Sequence, residues 1–223
     1  PLKRGMRVLD VGAGTGMLAA EVARRCQVQA NHTGLRAERM IEAGRQQYRE
    51  VMWLQADAAA LPFGEACFDL VISSSSYQWV GDLQAAFSEA GRVLSKGGRF
   101  YVAMFGRGTL GELFESLQAA GLARGREEVF ELRRIPSERD VRQALRGSSF
   151  RHRGVACEKR EVIFRDLWSL LKWLQGIGAN GLSRRFFLGG EFLALVEEHY
   201  RERFGAPDGI RVTFEILWID AVK

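Results

Sequence analysis

In the first half of the chain, short apolar runs alternate with longer segments whose apolar positions recur at helical spacing. Short apolar runs bounded by glycine or polar clusters are typical of buried parallel strands, whereas a 3.6-residue spacing predicts amphipathic helices. The pattern predicts strands over 8–11, within 28–35, and over 52–56, 68–73 and 99–105, with helices over 18–25, 38–48 and 83–94. Alternation of this kind implies right-handed crossovers and a parallel sheet.

The second half of the chain is less regular. Its pattern predicts helices over 110–120, 166–175 and 192–204, and strands over 155–164 and 212–222. Together the elements predict an α/β, Rossmann-like, doubly wound fold with a mostly parallel seven-stranded sheet, helices on both faces and a helical insertion before the last strand. A length of 223 residues fits one core, so we expect a single domain over 1–223, in which 165–208 forms the insertion or a lid.

Composition and charge are those of an ordinary globular protein. Hydrophobic residues make up 47% and charged residues 26%, and no apolar run approaches the ~20 residues of a membrane span. No signal segment is evident, so we expect a cytoplasmic protein without a membrane partner. Cys26, Cys67 and Cys157 are widely spaced, which favours buried thiols in a reducing compartment over metal ligands. The net charge of +5 is compatible with an acidic partner but is weak evidence by itself.

The strongest local signal follows the first predicted strand, where Asp10 precedes Gly12, Gly14 and Gly16. Glycines here permit a tight turn and close approach of a ligand, and the next helix points its free N–H groups into the same space. The dinucleotide pattern G-x-G-x-x-G needs glycine at position 17, which is Met17. A carboxylate at Asp10 would repel a pyrophosphate but attract an ammonium group. The loop therefore favours a nucleotide-like cofactor with an ammonium group over a dinucleotide.

This loop resembles the first motif of the class I S-adenosylmethionine-dependent methyltransferases, in which it backs the methionine part of the cofactor. After the third predicted strand, the resemblance implies that the Asp57 carboxylate accepts from the adenine amino group and that the Ala58 N–H reaches a ring nitrogen. An aspartate in this position is also typical of a loop cap. Ser74 ends the segment that resembles the fourth motif, where the methyl group is presented. The implied cofactor is S-adenosylmethionine, with S-adenosylhomocysteine as product.

One position departs from the family pattern. The family usually has Asp or Glu at the tip of the second strand to hold both ribose hydroxyls, and counting back from the following helix places Leu35 there. Leucine cannot accept a hydrogen bond, and losing a charge-assisted pair costs about 1.5–3 kcal/mol of binding free energy. Asn31 or Glu38 would substitute in a different register. The alternative of a non-catalytic protein with a degenerate cofactor site rests on this residue.

A closer resemblance, spread over most of the chain, is to the malonyl-acyl-carrier-protein O-methyltransferases of biotin synthesis. The segments that carry it are Tyr77-Gln78-Trp79-Val80-Gly81-Asp82-Leu83, Phe105-Gly106-Arg107-Gly108-Thr109-Leu110, Gly176-Ile177-Gly178-Ala179-Asn180 and Val212-Thr213-Phe214-Glu215-Ile216-Leu217-Trp218. The resemblance implies methyl transfer to the free carboxylate of a malonyl thioester on acyl carrier protein. In that family, helices ahead of the first strand close over the cofactor. This chain opens at Pro1, close to a strand, so we expect those helices to be absent.

The implied chemistry needs no general base, because a malonyl carboxylate is already ionised at pH 7. His32, His152 and His199 match no catalytic pattern, and catalysis would rest on alignment and desolvation of the reactants. Tyr77 and Trp79 follow the fourth strand and are candidates for walls of the methyl-transfer pocket. Core packing explains these two aromatic residues equally well.

A carboxylate substrate needs a cationic clamp, for which Arg107, Lys172 and Arg184 are candidates. For any one of the three taken alone, an ordinary surface charge is the favoured interpretation. The segment 124–165 is rich in arginine: Arg133, Arg134, Arg139, Arg142, Arg146, Arg151, Arg153 and Arg160. A basic face beside the pocket would steer an acidic acyl carrier protein, whereas the interspersed glutamates fit a solvated surface.

Two further functions compete with this interpretation. A methyltransferase for another small molecule, such as a free carboxylic acid or a quinone precursor, would carry the same cofactor motifs. The non-catalytic alternative rests on Leu35. A nucleic-acid methyltransferase is disfavoured, because amino-group enzymes of that kind usually carry Asn/Asp-Pro-Pro-aromatic after the fourth strand, where this chain has Ser73-Ser74-Ser75-Ser76-Tyr77. We therefore expect no nucleic-acid partner.

Overall fold

The computed structural model describes residues 3–24, 26–32, 37–125, 135–176 and 189–223. The first half contains β1 (Arg7–Val11), α1 (Met17–Ala23), β2 (Gln27–His32), α2 (Ala37–Gln47), β3 (Met52–Gln55), β4 (Phe68–Ser74), a 3₁₀ turn (Tyr77–Trp79), α3 (Leu83–Val93) and β5 (Leu94–Phe105). The second half contains α4 (Gly111–Ala123), α5 (Glu138–Arg146), β6 (His152–Phe164), α6 (Leu167–Gly176), α7 (Gly190–Phe204), β7 (Gly205–Ala206) and β8 (Gly209–Val222). Helix α5 was not among the elements predicted from the sequence.

The strands form one mixed sheet in the order β3-β2-β1-β4-β5-β8-β6, and the short β7 pairs with β8. Strands β1 to β5 pair in parallel, whereas β8 runs antiparallel to β5. The α/β, Rossmann-like class is therefore confirmed. The count of seven strands holds only along the main path, because the two-residue β7 adds an eighth strand. A segment as short as Gly205–Ala206 carries no hydrophobic pattern from which a strand could be predicted.

The chain divides into two compact units. The first comprises residues 1–105, 136–158 and 216–223, and the second comprises 106–135 and 159–215. The second unit contains α4, α6 and α7, and its α4 packs against α7. The single domain and the 165–208 insertion stay predictions. None of the described helices is long and apolar enough to cross a membrane.

The main core of the first unit lies on the face of β4, β5 and β8 that packs against α3 and α5. At its centre is an aromatic cluster: Phe87 contacts Phe100 edge-on with ring centroids 5.3 Å apart, and Phe100 stacks on Phe150 at 5.1 Å. Such pairs add specific geometry to a large buried apolar area. On the other face of the sheet, Trp53 belongs to the cluster that packs α1 and α2 against β1 and β4.

Helix α3 begins with a side-chain cap. The Asp82 carboxylate accepts from the Ala85 N–H at 2.9 Å, which satisfies one of the unpaired donors of the first turn. We expect Asp82→Ala to lower the free energy of unfolding by about 1 kcal/mol. Asp82→Asn is the matched control, because asparagine caps nearly as well. Urea denaturation measures both, and an equal loss in the two variants would contradict a capping role.

Candidate cofactor and substrate site

The glycine loop between β1 and α1 adopts a backbone that only glycine enters readily. Gly12, Gly14 and Gly16 have φ of 76°, 60° and 92°, all in the left-handed region. A Cβ at Gly12 would overlap the Ser76 hydroxyl, and one at Gly16 would overlap the Trp53 ring, whereas Gly14 faces open space. Two of the three glycines are thus required by close packing as well as by backbone angle.

Asp10 is the most unusual residue at the carboxyl edge of the sheet. It lies at the end of β1 with 1% of its surface exposed, and neither carboxylate oxygen has a hydrogen-bond partner within the described residues. Burial raises the pKa of Asp10 to about 7. The nearby Ala19 N–H opposes this shift but forms no hydrogen bond of normal geometry with the carboxylate. A buried carboxylate without a partner is costly, so its natural complement is a cationic or hydrogen-bond-donating ligand.

Two other buried polar groups follow β4. The Tyr77 hydroxyl and the Gln78 Oε1 are buried without a hydrogen-bond partner in the described part of the chain. The Tyr77 ring packs on Phe87 and Phe100, while burial and the negative charge of Asp10 both raise the pKa of its hydroxyl. The hydroxyl therefore stays a proton donor at neutral pH. Sequence reasoning missed Gln78, which no pattern marks as buried.

Asp57 and Ala58 form a turn directly after β3. The Asp57 Oδ1 accepts from the Ala59 N–H at 2.9 Å, and the Asp57 carbonyl accepts from the Ala60 N–H at 3.0 Å. This is the loop cap that the sequence also allowed, and it occupies one oxygen of an exposed carboxylate. Ala58 is buried in the main core of the first unit. The adenine roles of both residues stay predictions.

The end of β4 carries backbone strain beside an apolar groove. Ser75, next to the predicted Ser74, has φ of 53°, and its N–H donates to the Ala103 carbonyl at 2.8 Å. Left-handed backbone at a residue other than glycine is uncommon and clusters at functional sites. A groove of about 630 Å³ includes Ser74 together with Tyr101 and Trp218 in its lining. Trp79 is 44% exposed on the nearby 3₁₀ turn.

The predicted site residues divide between the two units. Those at the carboxyl ends of β1, β3 and β4 all belong to the first unit: Asp10, Gly12, Gly14, Gly16, Asp57, Ala58, Ser74, Tyr77 and Trp79. Arg107 belongs to the second unit, where it is exposed and its Nε donates to the Ile135 carbonyl at 3.5 Å. Lys172 is exposed on α6. Leu35 and Arg184 lie outside the described residues, and their roles stay predictions.

Two segments that carry the resemblance to the malonyl enzymes contact each other within the second unit. The Glu215 Oε1 accepts from the Gly108 N–H at 3.2 Å, and the Glu215 carbonyl accepts from the Thr109 hydroxyl at 3.0 Å. The Thr109 hydroxyl in turn accepts from the Glu215 N–H at 3.1 Å. These bonds fix the turn that carries Arg107, and no spacing in the sequence predicts a contact between segments so far apart.

Comparison with known proteins shows which families the chain is similar to. Residues 9–102 match the model of a methyltransferase domain. A malonyl-[acyl-carrier protein] O-methyltransferase of Geobacter sulfurreducens is 36% identical over 95% of this chain and 82% of its own length. The mouse mitochondrial arginine-hydroxylase NDUFAF5 is 31% identical over 93% of this chain but 61% of its own length. A phosphoethanolamine N-methyltransferase of Haemonchus contortus, solved with S-adenosylmethionine, shares the fold over the whole chain and 50% of its own, with a TM-score of 0.60 at 21% identity.

The sheet order, the glycine loop and the buried acid at the end of β1 define a methyltransferase fold with its cofactor edge. The chain belongs to the class I S-adenosylmethionine-dependent methyltransferases, and S-adenosylmethionine is its cofactor. Within that class it is similar to the malonyl-[acyl-carrier protein] O-methyltransferases. The cofactor inferred from the sequence is thereby confirmed, whereas the roles of individual residues stay predictions.

Proposed function

We propose that the chain transfers a methyl group to the free carboxylate of a malonyl thioester on acyl carrier protein, in the cytoplasm and in the service of biotin synthesis. The observation that carries this proposal is the 36% identity to the Geobacter relative, which extends over 95% of the chain and so beyond the cofactor-binding half. Cofactor motifs alone do not select a substrate. Similarity that continues through the second unit does favour a shared substrate.

Asp10 is the residue that best fits the cofactor. Its carboxylate is buried and unpartnered in the described residues, and an ammonium group of the methionine moiety would supply the missing partner. Backbone N–H groups of the glycine loop, with Asp57 and Ala58 at the next strand, would hold the rest of the molecule. When bound, S-adenosylmethionine supplies a methyl group on a positively charged sulfur. The residues around it need only bind, orient and exclude water.

No proton has to be moved by the chain in this reaction. A malonyl carboxylate is ionised at neutral pH and is itself the nucleophile, so alignment and desolvation supply the rate enhancement. Trp79 and the apolar groove beside Ser74 are suited to exclude water. Arg107 remains our candidate for the clamp on the substrate carboxylate.

We expect the chain to methylate malonyl acyl carrier protein when given S-adenosylmethionine, read by mass spectrometry as the gain of one methyl group. Acetyl acyl carrier protein is the matched control and should stay unmodified, because it lacks the free carboxylate. Binding of S-adenosylhomocysteine without methylation of malonyl thioesters would contradict the proposed substrate. Absence of binding, with binding gained by Leu35→Asp, would favour the degenerate-site alternative.

A methyltransferase for another small molecule is the second candidate. The mouse relative NDUFAF5, which is 31% identical over 93% of this chain, is an arginine-hydroxylase, so similarity at this level does not by itself fix the substrate. The same scaffold therefore occurs with other chemistry at comparable identity. Free malonate and other small carboxylic acids, tested beside the thioesters, discriminate between the two candidates.

A further inference from the structure

Helix α5 carries a row of arginines on its outer side. Arg139, Arg142 and Arg146 are three and four residues apart, so they share one face of the helix. The buried residues Val141 and Leu145 lie on the opposite face. The spacing is that of an amphipathic helix whose polar side is basic.

Two of the three arginines in this row form no ion pair with the described residues. Arg142 is held in place, because its Nε donates to Glu138 at 2.7 Å and its guanidinium also donates to the Val155 carbonyl at 2.6 Å. Arg139 and Arg146 are exposed, and no carboxylate of the described residues lies within 4.0 Å of either. Their charges are therefore available to a partner.

Two further exposed arginines follow the helix in the chain. Arg151 and Arg153 are exposed around the start of β6, and the Arg153 Nε donates to the Phe150 carbonyl at 2.5 Å. We call Arg139, Arg146, Arg151 and Arg153 the α5 stripe. The acidic residues on and beside α5 are engaged elsewhere. Glu138 pairs with Arg142, Asp140 closes the capping box with Ser137, Asp82 caps α3, and Glu89 pairs with Arg92.

The α5 stripe runs down one side of the first unit from the cofactor edge. The Arg151 N–H donates to the Val222 carbonyl, and Val222 pairs with Arg99 near the start of β5, so β6 begins at the amino edge of the sheet. Further along β6, Val155 lies in the lining of the groove beside Ser74, and its carbonyl accepts from the Arg142 guanidinium at 2.6 Å. Helix α5 therefore lies beside the groove at the carboxyl edge of the sheet.

We propose that the α5 stripe is the docking surface for an acidic carrier protein that presents the thioester substrate. The proposal rests on the proposed function and adds to it the surface that the protein partner contacts. Charge complementarity selects the partner, because an uncompensated row of cations attracts a negatively charged surface over distance. A carrier protein tethers its thioester on a long prosthetic arm, so it can dock on the side of the unit while the thioester reaches the edge.

The test compares two substrates that differ only in the carrier. For Arg139→Glu/Arg146→Glu, we expect KM for malonyl acyl carrier protein to rise about tenfold, because both sites pass from attraction to repulsion. The kinetics with malonyl-pantetheine, which has no carrier, should not change. Arg24→Glu/Arg49→Glu is the matched control, since it makes the same change in net charge at exposed arginines remote from α5. Thermal unfolding of each variant verifies that it is folded.

Three results would overturn the docking surface. Unchanged kinetics with the carrier in the α5 variant would do so, as would an equal loss in the control variant, which would reflect net charge alone. Tighter binding of a short DNA duplex than of the carrier would point to a different macromolecule. If neither thioester is methylated, the proposed function fails separately. Direct binding of the carrier to parent and α5 variant then decides: loss in the variant supports the surface, and equal or absent binding overturns it.

Discussion

Replacing Asp10 by asparagine is expected to weaken binding of S-adenosylhomocysteine at pH 8 by about ten- to a hundredfold. The reason is the buried carboxylate at the end of β1, which has no hydrogen-bond partner in the described part of the chain. A charge-assisted bond to the ligand ammonium is worth about 1.5–3 kcal/mol, and asparagine offers only a neutral acceptor. Calorimetric titration measures the loss. Asp208→Asn, which changes an exposed carboxylate in the second unit, is the control and should bind normally.

The same variant should be more stable without ligand at pH 8. Burial raises the pKa of Asp10 to about 7, above its value in the unfolded chain, so the folded state favours the protonated acid. The resulting stability is fully present below the unfolded pKa of about 4 and is lost as pH rises through about 7. We expect this loss to be on the order of a few kcal/mol in the parent and to be missing in Asp10→Asn. Urea denaturation at pH 5 and pH 8 measures it, and a variant less stable than the parent at pH 8 would contradict the argument.

Ligand affinity should follow the opposite trend with pH. An ammonium group pairs with the ionised carboxylate, so binding near pH 6 requires Asp10 to lose a proton that it holds in the free protein. Affinity should therefore increase between pH 6 and pH 8, with one proton released per ligand near the lower end. Titrations in buffers of different ionisation enthalpy count that proton. A flat profile would place the ammonium group away from Asp10.

Local sequence patterns predicted most of the fold. The errors in that prediction lie where distant parts of the chain meet. The parallel strands and their helices follow from apolar periodicity. Strand β5 begins at Leu94, earlier than the predicted 99, because Gly97 and Gly98 pair with Lys223 at the far end of the chain. Helix α5 could have been predicted from the sequence, because Ser137 and Asp140 have the three-residue spacing of the capping box that they form. The arginines of this helix also recur at helical spacing, at positions 139, 142 and 146.

In the candidate site, too, local features were predicted from the sequence and long-range contacts were not. The glycine spacing and Asp10 were evident because one short segment holds them all. The burial of Asp10 and Gln78 was not, since burial depends on the strands and helices that surround each residue. Ser76 and Trp53 were also missed, although they fix two of the loop glycines, because their contacts are made across the fold.

Gly16→Ala is expected to lower the free energy of unfolding by about 2–5 kcal/mol, combining left-handed backbone strain of roughly 1–2 kcal/mol with overpacking of roughly 1–3 kcal/mol. The φ of 92° disfavours any Cβ, and that Cβ would overlap the Trp53 ring, which is 8% exposed and packed in the core. An indole in such a place cannot rotate away without opening a cavity. Urea denaturation of the ligand-free chain measures the loss.

Two matched variants separate the causes. Gly14→Ala has a similar φ of 60° but open space around the Cβ, so it should lose only the strain, about 1–2 kcal/mol. Gly44→Ala lies in α2, where alanine is preferred over glycine by about 1 kcal/mol, yet its Cβ would overlap the same Trp53 ring. It should therefore destabilise despite the better helix former. The packing argument fails if Gly16→Ala and Gly14→Ala lower the free energy of unfolding equally and Gly44→Ala raises it. The Trp53 ring then moves aside at little cost, and the loop glycines are required by their backbone angles alone.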